Sequence, residues 1–294
     1  MNEIMTNKLR FRKFLPAFLL VTIIFLAFSS FYVPPAQAVF GSEDIFFEYG
    51  AESGVLHPPW DIAGGSGTGS QGDSYVQVDN THVMTSDEAV KFYIEGGAKD
   101  DRGRRIILRK WETKREYFLS AWCYFPTDYP FGASGQGSII LATNAWFGPS
   151  GNRWKWLTTA KFYISSQQSV MTSYRLPFGQ SSDESYVNSG EDITFNKWFQ
   201  FQIHAKWETD TTGQYEWFFG DSTGEIYSRT VSNIKTDPEG YAGFTGDYAY
   251  AGGVPYPSAS IIEYVSTSYP EIYHWVDDIV GATERIPETY RVNS

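Results

Sequence analysis

One stretch of the chain, residues 198–207, most strongly limits the kind of fold that is possible. Its apolar residues fall at every second position: Phe199, Phe201, Ile203, Ala205 and Trp207. The residues between them are polar, namely Gln200, Gln202, His204 and Lys206. A period of two predicts a β-strand with one face in the core, because a helix would place apolar residues three and four positions apart.

Shorter runs with the same alternation follow one another along the chain, separated by Gly, Asn, Asp and Pro. They predict strands at Ile45–Tyr49, Tyr117–Phe125 and Ile272–Gly281, and a return strand at Gly213–Phe219 that pairs with Trp198–Trp207. After the N-terminal segment, no stretch of about 12 residues has helical periodicity. The sequence therefore predicts an all-β fold, an antiparallel β-sandwich of the jelly-roll type.

The N-terminal segment has the order of features found in secretory signals. Four basic residues precede an apolar stretch from Phe14 to Val33, and the small-x-small site Ala36-Gln37-Ala38 follows. This pattern predicts a signal peptide at residues 1–38, cleaved after Ala38, and a secreted single domain at 39–294. The alternative is an uncleaved membrane anchor, since the apolar stretch approaches the about 20 residues that a span requires.

The net charge disfavours some binding partners, and the cysteine content excludes stabilisation by an intrachain disulfide. The chain has a net charge of −11, and without the basic leader the charge is near −14, which disfavours nucleic acid and anionic membranes. The single cysteine, Cys123, allows no intrachain disulfide, so an exported domain depends on packing or on a bound ion. We expect a monomer. Aromatic residues make up 18% of the chain, and partly exposed rings are suited to the apolar faces of sugars.

Three segments carry a resemblance to a known superfamily. The run from Asn196 to Trp207, followed by Gly213-Gln214-Tyr215-Glu216-Trp217, resembles a hairpin of concanavalin A-like lectin/glucanase domains. It is also similar to a hairpin of secreted polysaccharide lyases of the heparin-lyase-like and glucuronan-lyase-like groups. Glu112–Tyr129 is similar to a strand of those lyases, and the tail Tyr273–Ile279 is like the closing strand of many such sandwiches. The resemblance implies a concanavalin A-like jelly roll that handles carbohydrate. The glucanase motif Glu-x-Asp-x-x-Glu is absent, so the residues for hydrolysis by two carboxylates are missing.

The resemblance also suggests candidate residues for a lyase reaction. Such an enzyme needs a group that neutralises the sugar carboxylate, a base for the C5 proton and an acid for the leaving oxygen. The candidates are Asn144, Gln202, His204 and Tyr124. Gln202, His204 and Lys206 share one strand face by period-two geometry. The alternative is that this polar face is the solvated side of an antiparallel sheet.

Candidate sugar-binding and metal-binding residues complete the set. For the sugar we expect Trp122, Tyr124, Trp146, Arg115, Glu116 and Lys206, the alternative for the tryptophans being a position in the core. For a structural Ca²⁺ ion we expect Glu48, Asp277 and Asp278, because pairing of the first and last strands would bring these carboxylates together. The alternative for the two aspartates is a surface acidic pair.

These observations lead to one functional hypothesis and two alternatives. The first is a secreted carbohydrate-binding domain that acts on extracellular polysaccharide. The second is a polysaccharide lyase that cleaves a uronic-acid polymer by β-elimination. The third is a surface or adhesion protein without enzymatic activity.

Overall fold

The alternating stretch of the sequence forms the centre of an antiparallel sheet. Strand β11, Lys197–Lys206, pairs on one side with β6, Glu116–Phe125, and on the other with β12, Gly213–Asp221. In β11 the side chains of Phe199, Phe201, Ile203 and Ala205 enter the core, as the period of two predicts. Trp207 follows the strand directly and is also buried.

The computed structural model describes twelve segments between residues 40 and 292. They are residues 40–49, 60–64, 75–85, 87–94, 102–108, 115–129, 138–147, 155–165, 167–176, 185–236, 257–265 and 272–292. These segments belong to one unit, Phe40–Ser294. The predicted signal peptide lies outside the described residues. Within these segments, no helix is long and apolar enough to cross a membrane.

Two antiparallel sheets contain all the strands of the described segments. The first sheet has the order β13-β12-β11-β6-β15-β4-β3, and β1 also pairs with β15. Its other strands are β1 Ile45–Tyr49, β3 Tyr75–Asp79, β4 Ala89–Ile94, β13 Gly224–Ile234 and β15 Ile272–Ala282. The second sheet has the order β10-β9-β8-β7-β14-β5-β2. Its strands are β2 Trp60–Gly64, β5 Arg102–Leu108, β7 Ser138–Phe147, β8 Lys155–Ile164, β9 Ser169–Arg175, β10 Ser185–Asp192 and β14 Pro257–Val265.

The core lies between the two sheets and is rich in aromatic rings. Phe201 of β11 packs against Phe162 of β8, with ring centroids 5.2 Å apart, so the inner faces of the sheets are in direct contact. Phe125 and Phe219 also contact Phe201. Cys123 is fully buried among these residues. The predicted all-β antiparallel sandwich is confirmed, and the only helical segment among the described residues is a 3-10 turn at Ser42–Asp44.

A C-terminal segment, residues 283–292, follows β15 and covers part of the outer face of the first sheet. Its residues Ile286 and Val292 are buried there against Val280 and Ala282, in a small apolar cluster separate from the main core. We call this segment the C-terminal strap. It determines which part of the outer face is left uncovered.

Candidate functional site

The polar face of β11 points away from the second sheet, because the alternate residues of the strand fill the core. The side chain of Gln202 is fully buried there beneath the C-terminal strap. Its Nε2 donates to the carbonyl oxygen of Ile286 at 3.0 Å, and its Oε1 accepts from the amide nitrogen of Ile286 at 2.8 Å. Both amide atoms of Gln202 therefore bind the backbone of the C-terminal strap.

His204 lies two residues further along the same face and belongs to a charged cluster. Its Nδ1 is 2.6 Å from Oε2 of Glu216, its Nε2 is 3.1 Å from Oε1 of Glu116, and its ring stacks on Phe118. Nζ of Lys206 is 3.9 Å from Glu116. The hydrogen bond with His204 lowers the pKa of Glu216, although partial burial opposes this. His204, Glu116 and Lys206 thus come together, and His204 is held between two carboxylates.

Arg115 directly precedes Glu116 of this cluster, whereas Asn144 lies on the other sheet. The backbone oxygen of Arg115 accepts a hydrogen bond from the amide of Trp207 at 2.7 Å, which positions the start of β6. Asn144 and Trp146 lie on β7 of the second sheet, and their side chains are outside what the structure describes. Because His204 points away from the second sheet, the structure does not bring it together with Asn144.

Trp122 and Tyr124 share the outer face of β6, but their environments differ. Trp122 is 1% exposed, and the guanidinium of Arg291 from the C-terminal strap lies 4.1 Å from its ring centroid. Tyr124 is only partly buried and stacks on His82 with ring centroids 4.4 Å apart. Burial raises the pKa of the Tyr124 phenol. Of these two predicted sugar-binding residues, Tyr124 alone is partly open to solvent.

The expected pairing of β1 with β15 is present and places Glu48 opposite Val280, on the strand that carries Asp277 and Asp278. Each of these three predicted metal ligands also has a protein partner. Asp277 accepts from the amide of Met84 at 2.9 Å, Asp278 accepts from the Thr85 hydroxyl at 3.0 Å, and Glu48 accepts from the Tyr290 hydroxyl at 2.7 Å. Within the described segments, no three His, Cys, Asp or Glu side chains form a group that could hold a metal ion. The calcium ion remains a prediction from the sequence.

The outer face of the second sheet carries a group of residues that the sequence analysis missed. In β8, Ala160, Phe162 and Ile164 are buried, so the intervening Lys161 and Tyr163 point outward. Tyr186 of the edge strand β10 is 47% exposed, with its ring centroid 5.8 Å from that of Tyr163 and 6.0 Å from Nζ of Lys161. The alternation of apolar and polar residues in β8 was the sequence signal that could have identified this group.

The pairing register brings these residues into rows across neighbouring strands. Ser173 of β9 lies opposite both Lys161 and Tyr186, so these three residues form one row. Arg175, two residues from Ser173, is half-buried on the same face. We call Lys161, Tyr163, Arg175 and Tyr186 the lysine–tyrosine surface. Lys161 and Arg175 are cations that can donate hydrogen bonds to a carboxylate. The phenols of Tyr163 and Tyr186 can donate hydrogen bonds and can also transfer a proton.

No family model matches the chain. No curated protein matches it either. Solved structures do resemble it, and polysaccharide lyases are among them.

The endo-β-1,4-glucuronan lyase from the fungus Trichoderma reesei superposes with a TM-score of 0.57 at 14% identity, covering 82% of this chain and 96% of the lyase. The marine PL-14 alginate lyase from Aplysia kurodai gives 0.56 at 10% identity, covering 82% and 99%. The alginate lyase vAL-1 from Chlorella virus gives 0.51 at 9% identity, covering 76% and 92%. The resemblance inferred from the hairpin residues is thus confirmed for the fold, which is a jelly-roll β-sandwich like that of these polysaccharide lyases.

Proposed function

We propose that the protein is exported and binds extracellular polysaccharide along the lysine–tyrosine surface. The observation that carries this proposal is the grouping of Lys161, Tyr163 and Tyr186 on adjacent strands of an outer sheet face. Tyrosine rings offer a flat apolar surface together with a polar hydroxyl, which suits a sugar ring because it has apolar faces and polar hydroxyl groups. The jelly-roll fold shared with the three lyases supports the same class of ligand.

The charges of this surface favour a polysaccharide that carries carboxylates. The chain as a whole is strongly acidic, at −11, and would repel an anionic polymer at long range. Lys161 and Arg175 supply positive charge on one face, on neighbouring strands. Arginine can also hold a carboxylate through two parallel hydrogen bonds. A uronic-acid polymer is therefore the ligand that this surface fits best.

Binding is tested with a panel of polysaccharides, using glucuronan and alginate as uronic-acid polymers and cellulose as a neutral one. Calorimetry on oligosaccharides of the same polymers gives the affinities. Lys161→Ala and Tyr186→Ala should each weaken uronic-acid binding by about tenfold, about 1.4 kcal/mol. The matched control is Lys235→Ala, which changes the net charge equally at a position after β13 of the first sheet. Equal weakening in the control would show a general charge effect and would refute the site.

A second candidate function, polysaccharide lyase, is favoured by the presence of an amine and phenols in one group. In β-elimination, Arg175 would neutralise the uronate carboxylate, and Lys161 would act as the base that removes the C5 proton. The C5 electron pair forms the C4–C5 double bond as the C4–O4 bond breaks, and the Tyr186 hydroxyl would protonate the departing O4. The reaction thus needs no further reactant.

The assay for the lyase is the ultraviolet absorbance of the new C4–C5 double bond, measured on glucuronan and alginate. Lys161→Arg separates the two functions because arginine keeps the positive charge but does not give up its proton near neutral pH. A lyase loses turnover in both Lys161→Ala and Lys161→Arg. A binding protein produces no absorbance and keeps most of its affinity in Lys161→Arg. Absence of both binding and turnover would favour the adhesion alternative.

Export is tested separately, on the full chain produced in a secreting host. The N-terminal sequence of the mature protein should begin at Val39 if residues 1–38 are a cleaved signal. A mature protein that retains residues 1–38 and remains with the membrane fraction would instead support the anchored alternative.

A further inference from the structure

A row of aromatic residues crosses the outer face of the first sheet, on the opposite side of the sandwich from the lysine–tyrosine surface. The pairing register places Trp198 of β11, Tyr124 of β6 and Trp275 of β15 directly opposite one another. Lys91 of β4 continues the row as the partner of Trp275. Residues opposite one another on neighbouring strands point to the same face, so these four side chains form one continuous strip.

The strip lies on the outer face because the neighbouring residues of each strand fill the core. Cys123 and Val276, which flank Tyr124 and Trp275, both belong to the main core. At the usual spacing between strands, the strip spans about 14 Å. A strip of this length matches a short oligosaccharide better than a single sugar ring.

An open depression of about 690 Å³ lies at this strip. Its aromatic lining consists of His82, Tyr273 and Trp275, with centroid distances of 4.2 Å between His82 and Trp275 and 5.5 Å between Tyr273 and Trp275. We call it the aromatic depression. Ligand sites in proteins are commonly about 300–1,000 Å³ and combine aromatic walls with a few polar groups. The size and the lining of the aromatic depression match that description.

Polar side chains surround the rings and remain accessible. Thr81, Thr127, Asp128 and Asn196 are exposed at the rim. Asp128 accepts a hydrogen bond from the Tyr273 hydroxyl, and Nδ2 of Asn196 donates to the Thr127 hydroxyl at 2.7 Å. Carboxylate, amide and hydroxyl groups together can both accept from and donate to the hydroxyl groups of a sugar.

Carboxylates outnumber cations at the aromatic depression, unlike at the lysine–tyrosine surface. Nζ of Lys91 lies 5.0 Å from the ring centroid of Tyr273 and 5.2 Å from that of Trp275. Asp79, which accepts from Nε1 of Trp275 at 2.9 Å, and Asp128 offset this single cation. Burial lowers the pKa of His82, so its imidazole is neutral at neutral pH. The single lysine is therefore outweighed by the two carboxylates, and the aromatic depression does not attract a polyanion.

We propose that the aromatic depression is a second carbohydrate-binding site, specific for an uncharged oligosaccharide. The pyranose rings stack on Trp198, Tyr124 and Tyr273, which are partly exposed, while Trp275, only 3% exposed, forms the floor beneath them. The hydroxyl groups of the sugar bind the rim at Thr127, Asp128 and Asn196. This site is independent of the lysine–tyrosine surface, because the two lie on opposite faces of the sandwich.

The test uses neutral hexasaccharides of β-1,4-linked glucose, xylose and mannose, with a uronic-acid oligosaccharide as comparison. Binding is measured by calorimetry and by the change in tryptophan fluorescence, since Trp198 and Trp275 lie in the strip. At least one neutral hexasaccharide should bind the full chain. Tyr273→Ala and Trp198→Ala should each weaken it by about tenfold or more.

Two further variants keep the test decisive. Tyr186→Ala, on the lysine–tyrosine surface, should leave neutral binding unchanged, which separates failure of this site from failure of the proposed function. Ile226→Ala removes an exposed apolar side chain from the edge strand β13 of the same sheet and controls for general effects of truncation. The proposal is overturned if no neutral hexasaccharide binds at millimolar concentration. It is equally overturned if Tyr273→Ala and Trp198→Ala, folded as judged by circular dichroism, bind as tightly as Ile226→Ala.

Discussion

Replacement of Gln202 by leucine tests whether this residue holds the C-terminal strap or takes part in chemistry. The Gln202 side chain is 0% exposed, and its two amide atoms bind the backbone nitrogen and oxygen of Ile286 at 2.8 and 3.0 Å. Leucine fills a similar volume but leaves both backbone groups of Ile286 without these partners. A buried polar group without a partner costs about 1–3 kcal/mol, so two such groups set an upper limit of about 6 kcal/mol.

Detachment of the C-terminal strap from the sheet sets a limit on the free-energy cost of the unpaired backbone groups. A released strap regains water for its backbone but exposes Ile286 and Val292, and each buried apolar side chain is worth about 1.5–3 kcal/mol. The variant either keeps the strap in place with two unpaired backbone groups or releases it, and it adopts whichever state costs less free energy. We therefore expect Gln202→Leu to lower the free energy of unfolding by about 2–4 kcal/mol. The measurement is equilibrium unfolding in urea, read as a lower midpoint.

Gln200→Leu is the matched control, on the same strand and the same face. Gln200 is 2% exposed, but its Nε2 is 3.5 Å from the Pro287 oxygen, at the outer limit for a hydrogen bond. Its replacement should cost less than about 1 kcal/mol. Equal losses in the two variants would refute the assignment of Gln202 to the C-terminal strap. So would a Gln202→Leu protein of unchanged stability that has lost polysaccharide cleavage, since a catalytic role predicts that result.

Four other variants, at three positions, test the charged cluster, the core and the C-terminal strap. Because its hydrogen bond with His204 depresses the pKa of Glu216, this carboxylate stabilises the fold above its unfolded pKa, and the stability is lost as the pH falls through the folded value. Glu216→Gln should therefore flatten the loss of thermal stability at acid pH, and an unchanged acid profile would contradict this. Phe201→Ala should cost about 3–5 kcal/mol in urea unfolding, because Phe201 packs between the two sheets; a loss below about 1 kcal/mol would place it outside the core. Arg291→Ala should lower the thermal midpoint and Arg291→Lys should restore only part of it, since lysine lacks the planar group that lies on Trp122; full restoration by lysine would show that charge alone matters.

The sequence predicted the faces of the strands correctly, because alternation depends only on local geometry. It placed Gln202, His204 and Lys206 on one face and the apolar residues of β11 in the core, and both features are present in the structure. It also predicted the pairing of the first and last strands. The alternation does not indicate which residues cover the outer face of the first sheet. Gln202 is buried by residues more than 80 positions away, and nothing near it in the sequence indicates this.

The same limit explains why the aromatic depression was missed. His82 is isolated in the sequence, yet its ring contacts those of Tyr124 and Trp275, which are far from it along the chain. Only the strand order β11-β6-β15-β4 brings Trp198, Tyr124 and Trp275 into one row. The aromatic content of the sequence predicted a sugar-binding surface, but not the combination of strands that would form it.

The C-terminal strap explains why the two faces of the sandwich suit ligands of different length. On the first sheet it covers Trp122 and Gln202, so a ligand on this face is confined to the uncovered end of the strands around Tyr124. A chain end or a short branch fits such a bounded site, whereas a long polymer would meet the strap. On the second sheet, the lysine–tyrosine surface extends from β8 across β9 to the exposed edge residue Tyr186. A polymer can leave that surface over the edge strand, so the second sheet is the better place for a long uronic-acid chain.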